Sequence, residues 1–468
     1  MASAGTFCYL RRRLTLWQKA TAHSNGRKSI YYWDYMNKKL VRDSFIVGAA
    51  LFSMFFGAGN VVFPLYIGLT TGNQWFTGFL CYYAADVGLA LLTIYAMLAS
   101  DCIDRKEGLL HRLGGLPAML MMSAIILCIG PLLAIPRTGA TAFAISFAPL
   151  GYSSKGISLA KVLYSIVFFG ISTILAYRES NMVDAIARYL SPIKIGGFIL
   201  IVIAAAAWPL GEINPSVHDA NVAWNSILAG YQTLDVMASL VFGFVIVSAL
   251  KSKGYTSGSQ KVLSVGISSL VAGVLLFVIY CGLCYLGATG SALCPADTEK
   301  GALAAYLVGG LFGRASNVVL AVVMSVSCMA TSVGLIGTTG TFISRFSKGR
   351  LSYKCVAVCT GLFSMVVSNV GLDSIIAFAA PILTFLYPGT LVVIVLSLFD
   401  RHIRNDNIFR FATGGALLCS GISVLEGFGL PVKLTSSLPF ESVGLGWIVP
   451  ACIFGFVGCF VRRGGQKV

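Results

Sequence analysis

The sequence predicts an all-α polytopic membrane protein of about twelve transmembrane helices, ten of them in a five-plus-five inverted repeat and two appended. Three observations carry this. Hydrophobic residues make up 57% and charged residues 11% of 468 residues, with a mean hydropathy of +0.82, a balance foreign to soluble globular chains. Uncharged apolar runs of about 20 residues, each long enough for one helical crossing, recur in place of the short alternating segments of an outer-membrane barrel. The lysines and arginines behind the net charge of +16 stand between these runs and do not form one patch, so they read as topology signals and not as a nucleic-acid surface.

Residues 1–43 form a basic tail with nine Lys or Arg and no apolar core followed by a cleavage site, so it is not a secretory signal. Three readings compete for it: a disordered cytoplasmic tail, a transit peptide, or an upstream start, with Met36 as the true first residue. Spans are expected at 45–70, 75–99, 117–147, 159–177, 191–210, 231–250, 262–287, 314–343, 353–369, 373–398, 408–425 and 445–461. Basic residues then collect in segments 105–112, 178–188, 251–261, 345–354, 401–410 and 462–467 on one side. The other side holds only Lys155, Lys161, Lys300, Arg314 and Lys433, which supports both the count and cytoplasmic termini in a cell inner membrane. A short surface helix is expected over 302–312.

The first span is written as a broken helix. Some 26 residues at 1.5 Å each reach about 39 Å, more than the hydrocarbon core, and Gly57 and Gly59 interrupt the run about 18 Å in. Backbone groups unwound at that depth need protein or a polar cavity to satisfy them. The end of the first half suits a cation and the start of the second a carboxylate, with Pro64 near the new helix start. The plainer reading is a glycine packing face. Ser53-Met-Phe-Phe-Gly57 is echoed by Ser239-Leu-Val-Phe-Gly243 in the sixth span, 186 residues on. Five spans separate the starts of the copies, so they run in opposite directions, giving repeats over 44–210 and 231–398 with two further spans over 408–461.

Asp86, Arg137 and Asp235 are ionisable groups inside apolar runs, each costing roughly 2.5–3.5 kcal/mol at mid-membrane, so they face protein or water. Arg137 is read as an external gate, a partner of Asp235, or an interfacial residue. Asp235 is a gate or ion-path residue or a structural pair, and Asp86 a buried, paired or protonated carboxylate that is also a candidate for the gate or ion path. In the eighth span, Ser325-Val-Ser-Cys-Met-Ala-Thr-Ser-Val-Gly334 offers hydroxyls that either glue helices or, through Thr331 and Ser332, complete a sodium shell begun by carbonyls of the first span. Enzymatic chemistry is not expected. His23, His111, His218 and His402 lie outside the spans, no phosphate loop or nucleophile elbow occurs, and Cys281-x-x-Cys284 lacks the second pair of a metal site. No cofactor, nucleic acid or ATPase subunit is expected, and transport is expected to run on an ion gradient.

Five stretches give the chain a resemblance to a known family. They are Phe55-Phe-Gly-Ala-Gly-Asn-Val-Val-Phe-Pro64, Gly130-Pro-Leu-Leu-Ala-Ile-Pro-Arg-Thr138, Val241-Phe-Gly-Phe-Val-Ile-Val247, Thr331-Ser-Val-Gly-Leu335 and Gly361-Leu-Phe-Ser-Met-Val-Val-Ser-Asn369. From Met36 to about Arg463 the chain resembles the branched-chain amino acid carriers of the LIV-II (BrnQ-like) type. The resemblance implies a LeuT-type fold and import of leucine, isoleucine and valine coupled to sodium or protons. It implies that Gly57, Ala58, Gly59, Asn60, Phe242 and Gly243 hold the substrate's charged ends, and that Ser53 and Phe56 carbonyls with Thr331 and Ser332 hydroxyls hold sodium. Two departures stand out: Asp86 where the family has an uncharged residue, and Ala90 in place of a proline. The rival readings are the same fold with another amino acid as cargo, or a non-transporting sensor. A sensor would carry a soluble output domain, and no expected inner loop exceeds about 20 residues.

Overall fold

The computed structural model describes residues 26–100, 102, 107–147, 158–178, 182–214, 221–256, 258–291, 300–312, 316–429, 434–435, 438–440 and 444–461. The first 25 residues of the basic tail therefore lie outside the described residues. The rest of the tail is helical: α1 runs Gly26–Phe55, well ahead of the expected start of the first span, because nothing between Arg27 and Val47 is a glycine or proline that would stop a helix. After a gap at 56–58, α2 completes the first crossing as Gly59–Thr71.

The second crossing is α3, Trp75–Tyr83, then a π-helical turn Ala84–Gly88, then α4, Leu89–Ala99. The third is α5, Gly115–Leu127, a second π turn Cys128–Leu132 kinked at Gly130 and Pro131, and α6, Ala134–Phe147. Next come α7, Leu159–Ala176, and a fifth crossing that begins early, as α8, Met182–Ala185, a π turn Ile186–Leu190, and α9, Ser191–Ala207. The sixth is again split: α10, Val222–Tyr231, and α11, Asp235–Ser252. The chain continues through α12, Gly258–Thr289; α13, Lys300–Phe312, on the expected surface helix; α14, Ser316–Phe346; α15, Tyr353–Ser368; α16, Leu372–Leu398; α17, Asp406–Gly427; and α18, Ile448–Phe460.

Among the described residues nine helical stretches are long and apolar enough to cross a membrane. The expected ninth and twelfth crossings are the shorter apolar helices α15 and α18. The core is held by close backbone approach as much as by bulk. A Cβ on Gly68 of α2 would fall 1.9 Å from Cys284 O of α12, and one on Gly287 of α12 would fall 2.1 Å from Leu65 O, so these helices touch main chain to main chain. Around them Phe52, Phe56, Phe198, Phe242, Tyr82 and Tyr280 are fully buried.

Basic segments expected on one side do come together. Arg178, Lys253, Arg345 and Lys354 line one recess at a single end of the bundle. Arg112, from another such segment, bonds Asp400 at 2.8 Å and Asp406 at 3.4 Å. Just beyond α11, the Tyr255 hydroxyl donates to Asp43 Oδ2 of α1 at 2.8 Å. Burial, helped by the Asp43 charge, pushes the Tyr255 hydroxyl up to about 12, so it stays a donor there at neutral pH.

Candidate functional site

The gap between α1 and α2 comprises Phe56, Gly57 and Ala58, where two glycines in quick succession weaken the helix. No side chain caps the first turn of α2, so its N–H groups are left for an anion, while the last carbonyls of α1 are left for a cation. The sixth crossing breaks at Gln232, Thr233 and Leu234, not at the glycine of the echo. Leu234 holds a left-handed backbone, φ 76°, which a leucine adopts only under constraint. Phe242 and Gly243, expected to hold a charged end of the substrate, sit in the unbroken α11. Gly243 is small because α4 packs there: a Cβ would lie 2.7 Å from Met97 Sδ. The glycine serves helix approach, and only the Phe242 side chain reaches the cavity between the breaks.

That cavity, of about 30 Å³, is lined by Gly57, Ala58, Asn60, Thr233, Asp235 and Thr331 and by apolar Met54, Phe55, Ile129, Leu234, Phe242 and Leu335. It has room for little more than a water, so the site is closed on itself. Gly57 stands against Thr331, where a Cβ would meet the hydroxyl at 3.2 Å, and Gly59 stands under Arg137, where a Cβ would meet Nη2 at 3.0 Å.

On one flank of the break is an acidic cluster. Asn60 Nδ2 donates to Asp235 Oδ2 at 2.6 Å and to the Tyr280 hydroxyl, and Asp86 Oδ2 stands 3.5 Å from the same nitrogen. Thr233 Oγ1 donates to Asp86 Oδ1 at 2.7 Å. Asp86 is brought there by the π turn at 84–88, a local widening that re-aims one side chain. Arg137 sends its donors to carbonyls: Nη1 to Gln232 O and Nη2 to Thr233 O, each at 3.1 Å. It therefore ties α6 to the freed end of α10, on the far side of the cavity from the Arg345 recess.

The other flank differs from the expected sodium shell. The side chain of Lys194, on α9, is wholly buried and donates from Nζ to Ser53 O at 2.8 Å, to Phe56 O, and to Ser327 O at 3.3 Å. Carbonyls can only accept, so in each of the three contacts Nζ is the donor. Its charge also lies 5.6 Å and 5.1 Å from the ring centroids of Phe52 and Phe56. The neighbouring hydroxyls act as donors to the same carbonyls: Ser327 Oγ to Phe56 O at 3.1 Å and Thr331 Oγ1 to Ser53 O at 3.4 Å. Ser332 Oγ is buried without a hydrogen-bond partner. The residues expected around sodium thus meet, with Ser327 for Ser332, but around a lysine.

Lys194 is the functional residue that sequence reasoning missed. A fifth span taken from residue 191 puts Lys194 near its end, whereas the helical stretch runs Met182–Ala207 and puts it at the midpoint. A helix start sought before Met182 would have found it.

Comparison with known proteins agrees with this architecture. The profile of a family described as branched-chain amino acid transport protein matches residues 40–464. The chain is 34% identical over 429 residues to the branched-chain amino acid permease BraB of Bacillus subtilis, covering 89% of this chain and 95% of that one. It is 30% identical over 437 residues to the permease BrnQ of Escherichia coli K12, covering 91% and 97%. Among solved structures it resembles a substrate-bound, outward-open Na+-coupled sialic acid symporter, with a TM-score of 0.56 at 10% identity over 91% of both chains. It also resembles Mhp1, a nucleobase-cation-symport-1 family transporter, in a closed conformation, with a TM-score of 0.58 at 12% identity over 89% of this chain and 91% of that one. At such identities these likenesses speak for the fold, which is of the LeuT type.

Proposed function

The chain belongs to the branched-chain amino acid transport protein family, and from that premise we propose that it imports leucine, isoleucine and valine as a secondary symporter working by alternating access. The observation that carries the reading is the pair of broken crossings facing one closed, mostly apolar cavity. The uncapped first turn of α2 offers N–H groups to a substrate carboxylate, Asp235 offers a charge to its ammonium, and Phe55, Ile129, Leu234 and Phe242 offer the apolar wall that a branched side chain needs. A cavity of about 30 Å³ cannot hold leucine, so the helices part to admit it.

Two larger recesses, of about 500 and 910 Å³, open at the end carrying Arg345. By the positive-inside rule that end faces the cytoplasm, with both termini there and the inner membrane around the bundle. Arg137, bound to the Gln232 and Thr233 carbonyls, then closes the outer path, and its release is the step that opens it. On this reading the carbonyls of Ser53, Phe56 and Ser327 are taken by Lys194 and not by sodium. The driving ion we assign is the proton. Asp235 and Asp86, joined through Asn60 and Thr233, are carboxylates on shared donors beside the cavity, where a bound proton relieves the repulsion of like charges.

The test is uptake of labelled leucine by the purified protein in liposomes. Excess isoleucine or valine should reduce it to background, while serine and phenylalanine should leave it nearly intact. Serine competing as well as isoleucine would end the cargo assignment.

A further inference from the structure

We propose that Lys194 supplies from the chain itself the cation that the end of α1 would otherwise take from solution, so that substrate binding and uptake need no sodium. The inference deepens the transport reading by naming what occupies the cation site.

The argument is one of exclusive occupancy. The last turn of α1 carries carbonyls without intrahelical partners and the negative end of the helix dipole, which together attract a positive charge. Ser53 O in that turn and Phe56 O just beyond it are carbonyls of this kind, and Ser327 O comes to meet them from α14. A sodium ion wants the same hard oxygens. Here all three protons of a buried ammonium are spent on them, and two unit positive charges cannot share two carbonyls. The hydroxyls that would complete a metal shell are turned inward as donors to those carbonyls, which leaves fewer lone pairs for a metal. Ser191, one turn before Lys194, accepts from Ser53 Oγ at 2.7 Å and so fixes the base of the lysine helix against α1. The ammonium reaches across three crossings, binding α1 and α14 from α9, as a resident ion would.

The test is leucine binding to the purified full-length protein across a sodium titration, with choline holding ionic strength, beside the melting temperature over the same titration without leucine. The wild type should show neither affinity nor melting responding to sodium. In Lys194→Ala, which exposes the carbonyls and leaves room, sodium should raise the melting temperature and tighten leucine at least about fivefold, the lower end of ordinary site coupling. In Lys194→Met, whose chain fills the space without charge, sodium should do neither. A wild-type protein that melts higher or binds leucine more tightly as sodium rises would overturn the assignment, even if neither variant could be purified. If leucine fails to bind in any salt, the cargo reading falls, while the melting curves still decide the role of Lys194.

Discussion

Both breaks in the bundle leave carbonyls at the end of a half-helix, and both are met by a cation from elsewhere in the chain, but the two cations are held differently. At the first break Lys194 is wholly buried, with three donors on three carbonyls contributed by two crossings. At the second, Arg137 is partly exposed and gives two of its five donors to two adjacent carbonyls, Gln232 O and Thr233 O. A buried ammonium is released only by leaving several buried groups unpaired, whereas a partly exposed guanidinium can exchange carbonyls for water. The first cation is thus a fixed part of the frame and the second a gate.

The largest expected effect tests the fixed cation. Lys194→Met takes a buried donor from three carbonyls, of which Ser53 O and Phe56 O keep only the hydroxyls of Thr331 and Ser327, so its melting temperature should fall further than that of Arg137→Met. Equal losses would erase the distinction between the two breaks.

Next comes Gly59→Leu. A side chain there collides with Arg137 Nη2 and Phe63 and covers the first turn of α2, so leucine binding should be lost while membrane insertion persists. Unchanged leucine affinity would remove the carboxylate from that turn.

The gate itself is probed by Arg137→Met, which gives up two charge-assisted bonds of about 1.5–3 kcal/mol each and should shift the protein toward the state open on the Arg137 side by tenfold or more. A membrane-impermeant thiol reagent added on that side should label a cysteine placed at Ala58, in the cavity lining, correspondingly faster. An unaltered labelling rate would mean that Arg137 is structural.

The smallest effect is expected from Thr331→Ala with Ser332→Ala. Thr331 donates one long bond to Ser53 O and Ser332 makes none, so stability should fall by about 1 kcal/mol and leucine binding should stay indifferent to sodium. A sodium response in the wild type that disappears in this variant would return the hydroxyls to a metal shell.

The unequal legibility of the two breaks has a physical basis. The first is written in glycine, which advertises a weakened helix, and it stands where the sequence places it. The second uses Gln232, Thr233 and Leu234, none of them a helix breaker, and Leu234 is held left-handed by its surroundings. The Phe-Gly echo at 242–243 gives no sign of it, because a glycine at a helix crossing looks the same in sequence as one at a break. Asp86 was legible as a buried charge but not as a neighbour of Asn60, since that meeting depends on a π turn without a sequence signature. Lys194 stood in plain view, hidden by a helix start placed at Ser191 instead of Met182.

The central claim is that the chain carries its own cation at the first break and draws on protons at the acidic cluster. It is tested most directly by accumulation of labelled leucine in liposomes under imposed gradients. With equal sodium on both sides, an inwardly directed proton gradient should drive accumulation above equilibrium, and a sodium gradient at equal pH and clamped potential should drive none. Accumulation under the sodium gradient alone, with none under the proton gradient, would contradict the account.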